Sequence, residues 1–177
     1  MQIICAVLTL SDRAAQGNRA DVTGPALVAA LIQHGYLVEQ TAILPDDFEQ
    51  IKQCLIDWSD TGNLHIIFTA GGTGFSPRDV TPEATLAVIQ RQAPGLAEAM
   101  RQQSLLVTPH AMLSRAVAGM RGTTLIINLP GSPKGAIENL TTLLPVLQHA
   151  VDLLQNAPLA EQGHKSKSQS EEKPHFD

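Results

Sequence analysis

The stretch LHIIFTAGGTGFSPRDVTPEAT, residues 64–85, decides how the chain is read. Leu64–Phe68 is an apolar run of strand length. Thr81 as N-cap, Pro82 at the first helical position and Glu83 in the first turn predict a helix start. Between them Gly71, Gly72, Thr73 and Gly74 leave bare backbone N–H groups that an anion can approach closely. Arg78 and Asp79 stand beside this loop as a fixed cation and a fixed carboxylate. A plain strand-to-helix turn would also use glycine, but it gives no reason for Arg78 and Asp79. The loop is not a P-loop, because no Gly–Lys–Ser/Thr closes it, and Pro77 stands where a dinucleotide fingerprint needs its third glycine.

Outward from this stretch, strand and helix signals alternate. Gln2–Thr9 predicts a strand, Arg13–Thr23 a loop, and Pro25–His34 a helix closed by Gly35. Tyr36–Leu44 predicts the next strand. Phe48, Ile51, Leu55 and Trp58 then recur at helical spacing. Beyond the glycine loop, helices are expected at Pro82–Gln92 and Pro94–Leu106, a strand at Thr123–Asn128, and a long helix opened by Pro133. The last helix carries the stripe Leu140, Leu143, Leu144, Leu147, Val151 and Leu154. The alternation predicts an α/β fold, a three-layer α/β/α sandwich on a mostly parallel central sheet. Function in such a sheet sits at the carboxyl ends of the strands. Those ends carry Ser11–Asp12, Pro45–Asp46, Gly71–Asp79 and Pro130–Lys134. After Asn156 the composition turns to Gln, Ser, Lys, Glu and His, so the expected division is a domain over 1–156 and a disordered tail over 157–177.

Composition narrows the class. The 177 residues are 44% hydrophobic and 3% aromatic, enough for one aliphatic core. The net charge is −5 with Lys and Arg scattered, which argues against nucleic acid as a partner. Cys5 and Cys54 read as buried thiols, and the six histidines show no metal-binding spacing. No signal peptide and no membrane-spanning run is read, so a cytoplasmic location is expected.

Each candidate has a competing reading. Asp79 near a helix start keeps its charge easily, either as simple dipole capping or as a ligand for magnesium, a hard ion that takes one or two carboxylates plus phosphate oxygens. Asp46 with Glu49 forms an Asp-x-x-Glu capping box, and capping and function stand level on the residues alone. Ser132 and Pro133 open the last helix with Lys134 as a cation at its start, though a single lysine is often only solvated. Ser11–Asp12 could be no more than a turn.

Taken together, residues 71–85, Leu113–Ser114–Arg115 and LIINLPGSPKG at 125–135 closely resemble the molybdopterin adenylyltransferases: the bacterial MogA proteins, the plant Cnx G domains and the G domain of gephyrin. Ser11–Asp12, Asp21, Gly24–Pro25 and Leu44–Pro45–Asp46 match in order, and the resemblance runs over about residues 3 to 155. It implies molybdopterin binding, adenylyl transfer from Mg²⁺-bound ATP, and a homotrimer. Asp79 and Asp46 are then the catalytic acids, with Asp79 also the metal ligand. Ser11, Asp12, Gly71, Gly72, Thr73, Gly74, Arg78, Ser114, Arg115, Pro130, Gly131, Ser132 and Lys134 are the implied binding residues. The resemblance also implies that the product passes to a MoeA-type metal-insertion protein. The alternatives are a MoaB-like molybdopterin-binding protein, a metal-insertion domain and a non-catalytic trimeric scaffold. The run Pro77–Ala84 favours MogA.

Overall fold

The structure is a computed structural model and describes residues 1–155. Its strands are β1 (Ile4–Leu10), β2 (Leu37–Leu44), β3 (Ile66–Ala70), β4 (Arg91–Gln92), β5 (Ala118–Arg121) and β6 (Thr124–Leu129). Its helices are α1 (Asp12–Ala15), α2 (Thr23–Gln33), α3 (Phe48–Asp60), α4 (Thr81–Leu86), α5 (Pro94–Leu105) and α6 (Pro133–Leu154), with a 3-10 turn at Pro109–Leu113. The strands form one sheet in the order β2-β1-β3-β6-β5-β4. The first four in that order are parallel; β5 pairs antiparallel with β6, and β4 pairs antiparallel with β5.

The central strands are buried on both faces, which explains why they read as unbroken apolar runs rather than alternating ones. Cys5, Val7, Phe68 and Ile127 face α2, α5 and α6, through Leu27, Leu31, Met100, Leu140 and Leu147. Ala6, Leu8, Ile67 and Ile126 face α3, α4 and the turn after α4, through Ile51, Leu55, Ala84 and Val88. The expected three-layer sandwich is therefore present. The chain leaves β1 toward β2 and returns to β3 on the other side of β1. This reversal opens a crevice beyond the carboxyl ends of β1 and β3, the place where such sheets bind ligands.

Four local expectations change. Arg13–Thr23 is not all loop: Ser11 accepts a hydrogen bond from the Ala14 N–H at 3.3 Å and opens α1. The helix expected at Pro25–His34 begins two residues earlier, at Thr23, because the Asp21 carboxylate accepts the Thr23 and Gly24 N–H groups. The helix expected over Pro82–Gln92 stops at Leu86, and Arg91–Gln92 pairs with β5 instead. Backbone bonds from Gln90 to Met120 and from Ala93 to Ala118, both 2.8 Å, hold that edge strand in place. Finally, Thr81 is the first helical residue rather than the N-cap, which is Val80. The Thr81 hydroxyl is buried and donates to the Gly71 carbonyl at 2.9 Å. The tail expected over 157–177 lies outside the described residues. Among the described residues no helix is long and apolar enough to cross a membrane.

Candidate active site

Gly71 and Gly72 turn the chain directly off the end of β3 with φ of +114° and +61°. A Cβ on Gly71 would overlap the Leu10 carbonyl, and one on Gly72 would overlap the Thr81 hydroxyl and crowd the Asp46 carboxylate. Glycine is needed at both positions because the loop is pressed between β1, the β2 exit and the start of α4.

Two cavities flank this loop. The first, about 400 Å³, lies in the crevice between β1 and β3, and Ser11, Asp12, Asp46, Gly71, Gly72, Arg78, Asp79 and Gly131 line it. The second, about 270 Å³, is lined by Thr73, Gly74, Ser114, Pro130 and Ser132. The structure thus brings together nearly all the residues singled out from sequence, but divides them between two adjacent chambers. Lys134 lines neither; its side chain is 79% exposed and lies 3.8 Å from Glu138. Arg115 sits behind the loop, and its guanidinium donates to the Gly74 and Asp79 carbonyls, both at 2.6 Å, and to Glu83.

The first cavity is charged and tightly ordered. Asp12 and Asp46 exchange bonds: the Asp46 N–H donates to the Asp12 carboxylate at 3.0 Å and the Asp12 N–H to the Asp46 carboxylate at 3.1 Å. Arg78 grips Asp12 with two bonds, at 3.0 and 2.8 Å. That guanidinium holds the Asp12 carboxyl below the usual carboxylate range, and Asp12 in turn raises Arg78. Asp79 accepts the Ser76 N–H at 3.0 Å. Asp46 differs from Asp12. Burial pushes its pKa up, the charges of Asp12 and Asp79 push it further, and the Asp12 N–H and Arg78 oppose this. Its Oδ1 is buried without a hydrogen-bond partner.

The capping reading of Asp46 is corrected here. Asp47 is the N-cap of α3 and accepts the Gln50 N–H at 2.9 Å. Asp46 is left with one orphaned oxygen beside Gly72, and such a buried charge calls for a cation. No group of three or more ligating side chains occurs among the described residues. The donor set, Asp46 with Asp79 nearby, suits magnesium, which completes its shell with phosphate oxygens and water.

Sequence reasoning missed several lining residues. Arg13, Arg19, Asp21, Thr23 and Ser76 border the first cavity, and Arg101, Ser104, His110 and Asn139 the second. Of these only Asp21, within the N-terminal pattern, and Ser76, within residues 71–85, carried a signal. The Thr23 hydroxyl donates to the Gly131 carbonyl at 2.8 Å across 108 residues, a contact no local pattern reveals. Cys5 and Cys54 lie outside both cavities, with burial pushing their thiols up to about 12 and about 11, so neither is a ready nucleophile.

Residues 6–149 match the family model described as a probable molybdopterin binding domain. The chain belongs to that family, whose members act in molybdenum cofactor biosynthesis. It is similar to the molybdopterin adenylyltransferase of Helicobacter pylori J99, 41% identical over 150 residues, covering 84% of this chain and 85% of that one. Gephyrin of Dictyostelium discoideum is 42% identical over 176 residues; the match covers 93% of this chain, which spans about a quarter (24%) of that protein's length. Among solved structures, the molybdopterin biosynthesis enzyme MoaB of Thermus thermophilus superposes with a TM-score of 0.83 at 48% identity, covering 88% of this chain and 98% of that one.

Proposed function

We propose that this protein is a molybdopterin adenylyltransferase that joins molybdopterin to the adenylyl group of ATP in molybdenum cofactor biosynthesis. The observation that carries the reading is the orphaned Oδ1 of Asp46, set beside Gly72, Asp79 and Arg78 in a cavity at the sheet's reversal point. Relatives at this level of identity and near-full length, named for that activity, support it.

In the reaction, an oxygen of the molybdopterin phosphate bonds to the α-phosphorus of ATP. The bond from that phosphorus to the oxygen leading to the β-phosphate breaks, and pyrophosphate leaves with the electron pair. The attacking phosphate is already mostly dianionic near neutral pH, so no general base is needed. The site's work is positioning and charge neutralisation. Asp46 and Asp79 would hold magnesium, which supplies charge neutralisation at the phosphate oxygens when bound. Arg78, released from Asp12 by a stronger anion, offers a two-pronged donor to phosphate. The Gly71–Gly72 backbone lets a polyanion approach without side-chain obstruction. Gly131 lines the first cavity and Ser132 the second, both on the loop that opens α6. Two chambers separated by one thin loop suit a reaction that must bring two polyanionic substrates together.

The proposal includes a homotrimer, a cytoplasmic location and hand-over to a MoeA-type insertion protein, all on the family resemblance. The exposed apolar run Leu105, Leu106, Val107, Met112 and Leu113 offers a face for self-association. The test is incubation with molybdopterin, magnesium and ATP labelled at the α-phosphate. Label should move to molybdopterin with an equal yield of pyrophosphate. Molybdopterin binding without transfer would replace the enzyme with the MoaB-like binding reading.

A further inference from the structure

We propose that Arg115 is a positioning residue that couples the two cavities, so that a ligand in one tightens binding in the other. The inference rests on the functional reading above. Arg115 follows directly on the wall of the second cavity, to which His110, Ala111, Leu113 and Ser114 contribute. The Ser114 N–H donates to the Ala111 carbonyl at 3.1 Å and its Oγ accepts the Ala116 N–H at 3.4 Å, so the segment leading into Arg115 is fixed from both sides. The Arg115 N–H then donates to the Thr73 carbonyl at 2.9 Å, and its Nε donates to the Gly74 carbonyl at 2.6 Å. Thr73 and Gly74 line the second cavity.

The same guanidinium reaches the other chamber. Its Nη2 donates to the Asp79 carbonyl at 2.6 Å, and its Nη1 pairs with Glu83 in the first turn of α4. The carboxylate of Asp79 accepts the Ser76 N–H, and Ser76, Arg78 and Asp79 all line the first cavity. One planar side chain therefore bonds both ends of the segment from Gly74 to Asp79, and its donor geometry is rigid. A ligand that settles the Thr73–Ser114 wall must settle the Asp79 backbone through the same group. Ordering the loop once rather than twice makes the second ligand bind more tightly, and the coupling is reciprocal. Arg115 thus acts through the loop and not by direct contact with the transferred phosphate.

The test is calorimetric titration of the full chain with a non-hydrolysable α,β-methylene ATP in magnesium, with and without saturating molybdopterin. The wild-type protein should bind the analogue at least about five-fold more tightly when molybdopterin is present. Arg115→Lys keeps the charge but loses the fork; it should reduce that ratio to about one while changing each separate affinity by less than about three-fold. Glu83→Ala, which removes one anchor of the same guanidinium, should lower the ratio in the same direction and covers the case in which Arg115→Lys does not fold. A wild-type ratio of one, or an undiminished ratio in the variants, overturns the coupling while leaving adenylyl transfer standing. Failure of the wild-type protein to bind either ligand overturns the functional reading and the coupling with it.

Discussion

Asp12 and Asp46 each accept the other's backbone N–H, at 3.0 and 3.1 Å, although 34 residues separate them. This exchange ties the exit of β1 to the exit of β2. It fixes two carboxylates at the mouth of one cavity, where mutual repulsion alone would separate them. Arg78 neutralises Asp12, so the excess negative charge falls on Asp46 and Asp79. The protein holds that arrangement at a cost in stability, as sites built to receive a ligand often do.

That cost predicts the behaviour of Asp46→Asn. The Asp46 pKa is raised in the fold, so the native state binds the proton more tightly than the unfolded chain. Below about pH 4 the group is protonated in both states and carries no penalty; as pH rises through the folded pKa, stability is lost. In EDTA at pH 7.5, Asp46→Asn should therefore melt no lower than wild type, and about 2 °C higher given one orphaned, partly solvated group. The gain should shrink toward pH 4. A melting point several degrees lower would show that the carboxylate stabilises the fold.

His65 predicts an acid-side loss of stability. Its Nδ1 accepts the Ile4 N–H at 3.0 Å, and burial, helped by the N-terminal amine, lowers its pKa. Protonation removes that acceptor, so the stability it supports is present above about pH 6.5 and is lost as pH falls through the folded pKa. His65→Asn, which keeps an acceptor near Nδ1 but does not titrate, should flatten the melting-point slope between pH 6.5 and 5. An unchanged slope would assign the acid loss to other groups.

The glycines separate by surroundings. Gly71 and Gly122 both have positive φ, at +114° and +55°, but only Gly71 has neighbours where a Cβ would stand. Gly122→Ala should cost about 1 kcal/mol, the penalty for the left-handed backbone alone. Gly71→Ala should cost at least about 2 kcal/mol more, because the Leu10 carbonyl must move. Urea melts of both variants check this; equal losses would mean the loop yields easily.

Much of this was legible in the sequence for a definite reason. Strand and helix periods, caps and glycine loops are local signals, and they place the four strand ends at one edge of the sheet. What was lost turns on single-residue register or on long-range pairing. The adjacent Asp46 and Asp47 each begin a capping pattern, with Glu49 and Gln50 respectively, and only the fold shows that Asp47 caps α3. The early end of α4 depends on Arg91–Gln92 pairing with β5, about 28 residues on. Arg115 read as a substrate contact, because nothing local reveals bonds to Gly74, Asp79 and Glu83 at separations of 32 to 41 residues.

The central claim is that Asp46 and Asp79 form an electrostatic site for a metal-bound nucleotide, and adenylyl transfer by Asp46→Asn and Asp79→Asn tests it most directly. Both variants should be assayed with α-labelled ATP at matched, titrated molybdopterin occupancy. Folding and molybdopterin binding should persist, while label transfer falls by at least about a hundredfold in each, as expected for the loss of one preorganised electrostatic group. Since Asp47 performs the capping of α3, Asp46→Asn should be as damaging to turnover as Asp79→Asn. Transfer within a few-fold of wild type by either folded variant would contradict the account.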